Sequence, residues 1–315
     1  MTVATTAARV MVPVKITETM IAAGTTVPEP NTANGEVAWV SGGSYAIDDL
    51  RTSNGSVYSC TRVHSGRSVR PEADGGYWLR QGPTDRQAPF DDYSSTKTRG
   101  TTAISFVLTP GFINGVSVYG PEGATYSLVV RGSPGGAVIR EKHGDLYAQA
   151  AGLWELLFTP LPALEKISLD DIPIAPNAEV TVTIESPGDG AVAVGDIKVG
   201  DWRQLIGDAA DFGGVEYGAE AQRKTYTYRE VKPDGTYQQV RRPSARDVTC
   251  RVVLDAEQAM YADAILGEII DMAVPFEATN LPSYGYLNTL GFVSGAIRAD
   301  NWGVTSLSLN VKGNI

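Results

Sequence analysis

The sequence predicts a mainly β protein, in which a small three-stranded module precedes β-sandwich domains and the last domain has one packing helix. Short runs of alternating polar and apolar residues, such as TYSLVVRG and EVTVTIES, are typical of half-buried antiparallel strands. Glycine (34 residues) and proline (18 residues) lie between these runs along the whole chain. With 43% hydrophobic residues in a chain of 315, we expect two or three folded domains rather than disorder.

Shifts in composition divide the chain into four predicted segments. The first begins with a strand-like piece and then becomes rich in Gly, Thr, Pro and Asn, which is typical of an extended arm or linker. Two interpretations of residues 9–21 remain open, a strand added to a neighbouring subunit and a strand within its own chain. The predicted segments are an arm (1–35), a small module with its hinge (36–92), a β-sandwich (93–200) and a second β-rich domain (201–315).

Two turns and one helix have clear local signals. Asn54-Gly55 and Asp234-Gly235 each separate two strand-like runs and predict hairpins. The segment 255–273 predicts a helix, with Asp255 as its N-cap. Four apolar residues are predicted to form its packing face: Met260, Ala264, Ile265 and Ile269.

Charge and hydropathy exclude several classes of protein. The net charge of −10 and the absence of a Lys/Arg block argue against nucleic-acid binding. We expect no membrane insertion and no secretory signal, because no apolar run is long enough to cross a bilayer and the N-terminus lacks a basic region followed by an apolar core. Cys60 and Cys250 lie in strand-like runs, and we expect two free, buried thiols rather than a disulfide.

The sequence contains no convincing catalytic set. His64 and His143 stand outside any zinc-binding spacing, and neither a Gly-x-Ser-x-Gly elbow nor a phosphate loop is present. Adjacent carboxylates on a strand point to opposite faces, so they do not form a glycosidase pair by themselves. Such pairs occur at Asp48/Asp49, Asp91/Asp92 and Asp170/Asp171. We therefore expect a non-enzymatic protein that has no cofactor and no metal ion.

Four aromatic residues, one Asp and one Gly of the predicted small module occur in a recognisable order: Trp39, Tyr45, Asp49, Gly55, Tyr58 and Trp78. This order resembles the small chitin-binding-type carbohydrate modules, although Asp48 stands where that family has Gly. The resemblance implies a three-stranded fold that stacks sugar rings on exposed aromatic side chains. It makes Tyr45, Tyr77 and Trp78 the candidate carbohydrate-binding residues. For these three a role in the module's own core remains equally open, and Trp39 and Tyr58 are expected in the core.

The stretch GPTDRQAPFDD follows this module and is predicted to be a hinge. The pattern resembles a join in tail proteins of tailed bacteriophages, where such a module passes into β-sandwich domains. Asp85 replaces the usual Asn, and the residues Gln87-Ala88-Pro89 depart from the family's more aromatic stretch. In the predicted hinge, the first two residues end the module, the Arg and Asp brace the turn, and the Phe packs into the sandwich. These residues are Gly82, Pro83, Arg86, Phe90 and Asp91.

Segments further along the chain, VAVGDIKVGDWRQLI and YGYLNTLGFVSGAIRADNWGVTSLSLNVKGN among them, resemble the same bacteriophage proteins. The resemblance implies a structural component of a tail tip or baseplate, made in the host cytoplasm and located in the virion tail. Its partners would be copies of itself in a symmetric oligomer and other tail proteins, with host surface glycan as an open addition. A glycan (receptor)-binding protein is the alternative. A glycosidase or depolymerase is least favoured, because the sequence shows no fixed-period repeat.

Overall fold

The computed structural model describes residues 8–93, 95–148, 152–159, 161–206, 213–233, 235–240, 244–279 and 281–314. The chain is mainly β, with 49% of its residues in strands and 12% in helices, which confirms the predicted fold class. It divides into two compact units. One unit spans Lys15–Ile197, and the other joins the N-terminal residues up to Val14 to those from Lys198 onward.

The first strand, β1 (Arg9–Pro13), belongs to the C-terminal unit. It runs antiparallel to the strand Asp196–Gln204, with Pro13 opposite Gly200. Val10 is fully buried in the core of that unit, which holds the strand in place. The structure therefore has the N-terminal strand within its own chain, one of the two arrangements that the sequence left open.

The remainder of the predicted arm belongs to the other unit. The Ala22 N–H donates to the Val107 carbonyl oxygen at 2.7 Å, and the Thr26 N–H donates to that of Ser105 at 2.9 Å. These bonds satisfy backbone groups that an extended linker would leave to water. The structure thus differs from the predicted arm of residues 1–35, because its two halves pack on different cores.

The small module contains a three-stranded antiparallel sheet of β3, β4 and β6, and a separate pairing of β2 with β5. The turn between β3 and β4 is the predicted Asn-Gly turn, with φ of +46° at Asn54 and +68° at Gly55. The strands are β2 (Ser44–Tyr45), β3 (Leu50–Ser53), β4 (Ser56–Cys60), β5 (His64–Ser65) and β6 (Trp78–Pro83).

The predicted β-sandwich region holds a four-stranded sheet in the order β11-β10-β13-β8, with the pairs β12-β9 and β14-β7. Alternate residues of β8, β10 and β13 are buried, as the alternating sequence predicts. The elements are β7 (Thr98–Thr101), β8 (Ala103–Gly111), β9 (Gly115–Tyr119), β10 (Thr125–Arg131), β11 (Val138–Asp145), α1 (Leu153–Phe158), β12 (Lys166–Leu169), β13 (Ala178–Glu185) and β14 (Ala191–Val194).

The C-terminal unit is built on antiparallel strands in the order β15-β1-β21-β22-β23-β20, and both β16 and β17 pair with β20. Its elements are β15 (Asp196–Gln204), β16 (Gly214–Val215), β17 (Glu220–Thr225), β18 (Tyr228–Val231), β19 (Tyr237–Val240), β20 (Ser244–Asp255), α2 (Ala259–Glu268), β21 (Ala273–Glu277), β22 (Asn288–Ala299) and β23 (Val304–Gly313). Short 3₁₀ helices lie at Glu18–Met20, Thr32–Asn34, Pro71–Ala73, Ala88–Phe90, Ala256–Gln258 and Pro282–Leu287.

Helix α2 is shorter than predicted and its packing face is different. The Asp255 carboxylate accepts from the Glu257 N–H at 3.4 Å and caps the 3₁₀ helix Ala256–Gln258 that leads into α2. The N-cap residue of α2 itself, Gln258, makes no side-chain capping bond. The helix ends at Glu268 rather than at residue 273, because Ala273 already begins the fully buried strand β21. Ala262, Ile265 and Ile269 pack inward. Two of the predicted face residues, Met260 and Ala264, are exposed.

Both cysteines are free and buried, as predicted. Burial raises the pKa of the Cys250 thiol to about 12, so this thiol is neutral and unreactive at physiological pH. Among the described residues, no helix has the length and hydropathy needed to cross a membrane.

Candidate functional site

The aromatic residues of the small module form one cluster. Tyr45, Tyr58 and Trp78 are 5%, 8% and 3% exposed, and they surround the fully buried Cys60. Trp39 and Tyr77 are partly buried against this group. A module this small has little else from which to build a core, which explains why it uses its aromatic side chains for packing.

Tyr45 is fixed in the cluster by its ring and by its hydroxyl group. Its ring contacts Trp78 edge to face, with centroids 5.0 Å apart. The hydroxyl accepts from the Val40 N–H at 2.8 Å and donates to the Val40 carbonyl oxygen at 2.7 Å. These contacts close the loop before β2, so the structure gives Tyr45 a packing role.

His64 lies at the centre of the three candidate residues. Its ring centroid is 5.4 Å from Tyr45, 5.1 Å from Tyr77 and 5.3 Å from Trp78. Nδ1 lies 2.8 Å from the Arg62 carbonyl oxygen, which only accepts, so Nδ1 carries the proton. No sequence pattern predicts this position, because Tyr45, Tyr77 and Trp78 lie at least thirteen residues from His64 along the chain. No cluster of three or more potential metal-ligating residues occurs in the part of the chain that the structure describes.

Tyr77 differs from the other two candidates because its ring is partly exposed. The Arg67 guanidinium lies over this ring, 3.9 Å from its centroid. Arg67 also donates to both carboxylate oxygens of Asp74, at 2.8 and 3.1 Å, and this hydrogen bonding raises the pKa of the guanidinium. The Tyr77 ring therefore lies beside the hydrogen-bonded ion pair of Arg67 and Asp74, an arrangement that the sequence did not predict.

These positions determine what the cluster can do. Stacking on a sugar needs an accessible ring face. The structure places Tyr45 and Trp78 in the core, with 5% and 3% exposure, and leaves Tyr77 as the candidate that solvent reaches. The three residues lie close together in the structure, but they do not form an exposed row.

The predicted hinge begins in an extended conformation. Gly82 and Pro83 are the last residues of β6, opposite Val57 and Ser56, and so lie at the end of the small module's three-stranded sheet. Pro is tolerated here because Pro83 is the last residue of the strand. The chain changes direction after these residues, at the 3₁₀ helix Ala88–Phe90.

The other hinge residues connect this stretch to its surroundings. Arg86 Nη1 lies 3.3 Å from Glu18 Oε1, a partner in the segment that was predicted as an arm. Phe90 contacts the fully buried Phe106 of β8 edge to face, with centroids 5.5 Å apart. Asp91 Oδ1 accepts from the Tyr93 N–H at 2.7 Å.

Residues between the arm and the hinge form a polar network that sequence reasoning missed. Asp85 Oδ2 accepts from the side-chain amides of Asn31 and Asn34 at 2.6 and 2.9 Å. The Thr84 hydroxyl donates to Glu29 Oε2 at 2.7 Å. Burial of the Glu29 carboxyl nevertheless raises its pKa above the ordinary value. The network anchors residues 29–36 to the hinge, so this stretch is braced rather than free to swing.

The C-terminal unit also contains a cleft of about 730 Å³. Its lining includes a Gly-rich stretch, Gly213–Gly214, and three tyrosines, Tyr217, Tyr284 and Tyr286. The sequence did not predict this cleft, because its two sides lie about 70 residues apart along the chain.

Helix α1 exposes a concentrated apolar surface. Leu153, Trp154, Leu157 and Phe158 are 72%, 74%, 61% and 64% exposed. The helix lies between Leu146 and Leu164, and the backbone joins these two residues: the Leu164 N–H donates to the Leu146 carbonyl oxygen at 2.8 Å. Large apolar side chains grouped in this way are typical of an interaction surface.

No protein-family model matches the chain, and no curated protein is significantly similar to it in sequence. Among solved structures, a selenomethionine-labelled variant of chitosan-binding module 1, from a chitosanase/glucanase of Paenibacillus sp. IK-5, has a weak and partial similarity. It is 11% identical with a TM-score of 0.25, over 36% of this chain and 83% of that one. A similarity at this level assigns neither family nor function to the chain. Nothing in these comparisons supports a relationship to bacteriophage tail proteins.

Proposed function

We propose that this protein is a non-enzymatic structural component of a bacteriophage tail tip or baseplate, which assembles with copies of itself and with other tail proteins. The ordered motifs of the sequence, from the small module through the GPTDR stretch to the C-terminal domain, resemble such proteins and motivate the proposal. The aromatic residues of the module pack its own core, which suits a structural building block.

The observation that carries the proposal is the exposed apolar surface of α1. Four large side chains within six residues are each more than 60% exposed, including Trp154 and Phe158, whose rings lie 4.4 Å apart. Full burial of a side chain of this size contributes about 1.5–3 kcal/mol. A surface of this kind is costly to leave in water and is expected on a subunit that is covered in an assembly.

Antibody-gold labelling of intact virions and of culture supernatant from the producing strain tests this function. We expect gold at one end of the tail, and antibody preabsorbed with the purified chain is the control. Unlabelled particles, with the protein free in the supernatant, would refute the tail assignment.

A second candidate function is contact with a host surface glycan. It is favoured by the position of the Tyr77 ring beside the Arg67–Asp74 ion pair. A partly exposed ring beside a charged hydrogen-bonding pair is the minimum that a sugar site needs. The test is binding of the purified chain to host envelope polysaccharide, compared between the wild-type protein and Tyr77→Ala. Tyr93→Ala, which removes an exposed tyrosine outside the cluster, is the matched control. Equal binding by all three proteins, or none, would remove this candidate.

A further inference from the structure

The segment from Glu220 to Thr249, here named the basic hairpin, contains two strand pairs of the C-terminal unit, and most of its described residues are exposed. Strands β17 and β20 pair from Glu220 opposite Thr249 to Thr225 opposite Ser244. Beyond them, β18 and β19 pair only with each other among the described residues. A two-stranded sheet is marginally stable by itself in water, so pairing or packing with a further partner would stabilise this part of the hairpin.

Both faces of the outer strands carry apolar side chains that the chain does not cover. Tyr228 lies opposite Val240 on one face, and Val231 lies opposite Tyr237 on the other. Tyr237, for example, is 72% exposed. Among the described residues no third strand pairs with this sheet, so its edges can take up backbone pairing with another chain.

The charge of the basic hairpin is opposite to that of the rest of the chain. Residues 220–249 contain seven basic and four acidic residues, a net charge of +3. The remaining chain has 19 basic and 32 acidic residues, a net charge of −13. Oppositely charged patches attract, and they also fix the orientation of a contact.

A complementary surface lies on α2 of the same unit. Between Val252 and Ile297 the sequence has six acidic residues and no basic residue. The outer side of α2 and its flanks exposes both acidic and apolar side chains, and this surface is here named the acidic face. Its residues are Glu257, Met260, Asp263, Ile270 and Asp271.

We infer that the basic hairpin of one copy docks on the acidic face of a second copy of this chain. Each copy presents both surfaces, so the contact is heterologous and closes into a ring where the rotation allows it. The inference deepens the proposed function and rests on it for its biological setting, since a tail tip is assembled around an axis. The hairpin supplies basic groups and tyrosines, and α2 supplies carboxylates and exposed apolar side chains.

A charge-swap experiment on the purified full chain tests the inference by sedimentation velocity. The first variant, Arg229→Glu/Lys232→Glu, makes the hairpin acidic, and the second, Glu257→Lys/Asp263→Lys, makes the α2 surface basic. All four side chains are exposed, so folding is expected to survive, and circular dichroism checks it. Arg298→Glu, at a side chain that is 82% exposed on β22, is the control.

We expect the wild-type chain and the control to associate, and each variant alone to associate at least about tenfold more weakly, because like charges then meet. An equimolar mixture of the two variants restores association, since the acidic hairpin then meets the basic helix. Association also weakens as salt rises, because the Debye length falls from about 10 Å at 0.1 M to about 3 Å at 1 M. A monomeric wild-type chain, variants that associate normally, or a mixture without rescue would each overturn the inference.

The two proposals fail in different ways. Gold at the tail together with a monomeric chain would remove the hairpin contact and keep the tail assignment. Association with charge-swap rescue, but without gold on virions, would keep the contact and remove the tail assignment.

Discussion

Replacing Tyr45 by Phe tests whether the Tyr45 hydroxyl group stabilises the small module by closing the loop at Val40. The substitution keeps the buried ring and its contact with Trp78, and it removes only the hydroxyl group. That group makes two hydrogen bonds to the backbone of Val40, at 2.8 and 2.7 Å. Each such bond contributes about 0.5–1.5 kcal/mol net, so their loss is expected to cost about 1–3 kcal/mol. The Val40 side chain is 63% exposed, so water reaches this region and the cost lies toward the lower end of that range.

Hydrogen exchange measured by mass spectrometry on peptides of residues 36–83 detects the effect. A loss of 1.4 kcal/mol corresponds to a tenfold change in the opening equilibrium, so exchange is expected to accelerate by about 5- to 150-fold. Tyr58→Phe is the matched control, because Tyr58 belongs to the same cluster but its hydroxyl makes no hydrogen bond within the described residues. Unchanged exchange in Tyr45→Phe, or equal effects in both variants, would refute the stabilising role of the Tyr45 hydroxyl group.

Two further predictions concern β1 and the polar network at the hinge. Gly200→Ala places a methyl group against the Val12 carbonyl oxygen and is expected to lower the free energy of unfolding by about 1–3 kcal/mol. We therefore expect faster hydrogen exchange in β1. Gly75→Ala, which has open space around the new methyl group, is the control and should leave exchange in β1 unchanged. Continued full protection of β1 would contradict this. Because the pKa of Glu29 is raised in the folded state, its ionisation costs stability as pH rises above its ordinary value of 4.5. Glu29→Gln, which keeps an acceptor for Thr84, should therefore be more stable than wild type to urea at pH 7 and equal to it at pH 3. A variant that is less stable at pH 7 would show that the charge is favourable.

Local sequence signals predicted the local structure well. The strands of the sandwich follow their alternating pattern, and the Asn54-Gly55 turn connects β3 and β4. The Asp255 cap begins the segment that contains α2. These features depend on residues within a few positions of each other, so the information that fixes them lies in a short window.

The same signals did not give the end of α2 or its packing face. Residues 269–273 are mostly apolar, like the helix before them. Ala273 nevertheless begins β21, because it pairs with Phe292 of β22, about twenty residues further along the chain. Met260 matches an apolar face in the sequence and is exposed in the structure. Strand pairing and the position of the core decide these points, because tertiary contacts override local propensity.

Composition and the order of residues predicted a mainly β protein and two free, buried thiols, and the structure confirms both. The small module and its candidate carbohydrate-binding residues were predicted from a resemblance and stay predictions. The fold assigned each aromatic side chain to the core or to the surface: Tyr45 and Trp78 inside, Tyr77 at the edge, and His64 among them. It also joined β1 to the C-terminal unit and left the basic hairpin uncovered. These outcomes depend on which residues distant in the chain meet, and on how much apolar area each core covers. Neither the contacts between distant residues nor the apolar area covered by each core can be inferred from a short stretch of sequence.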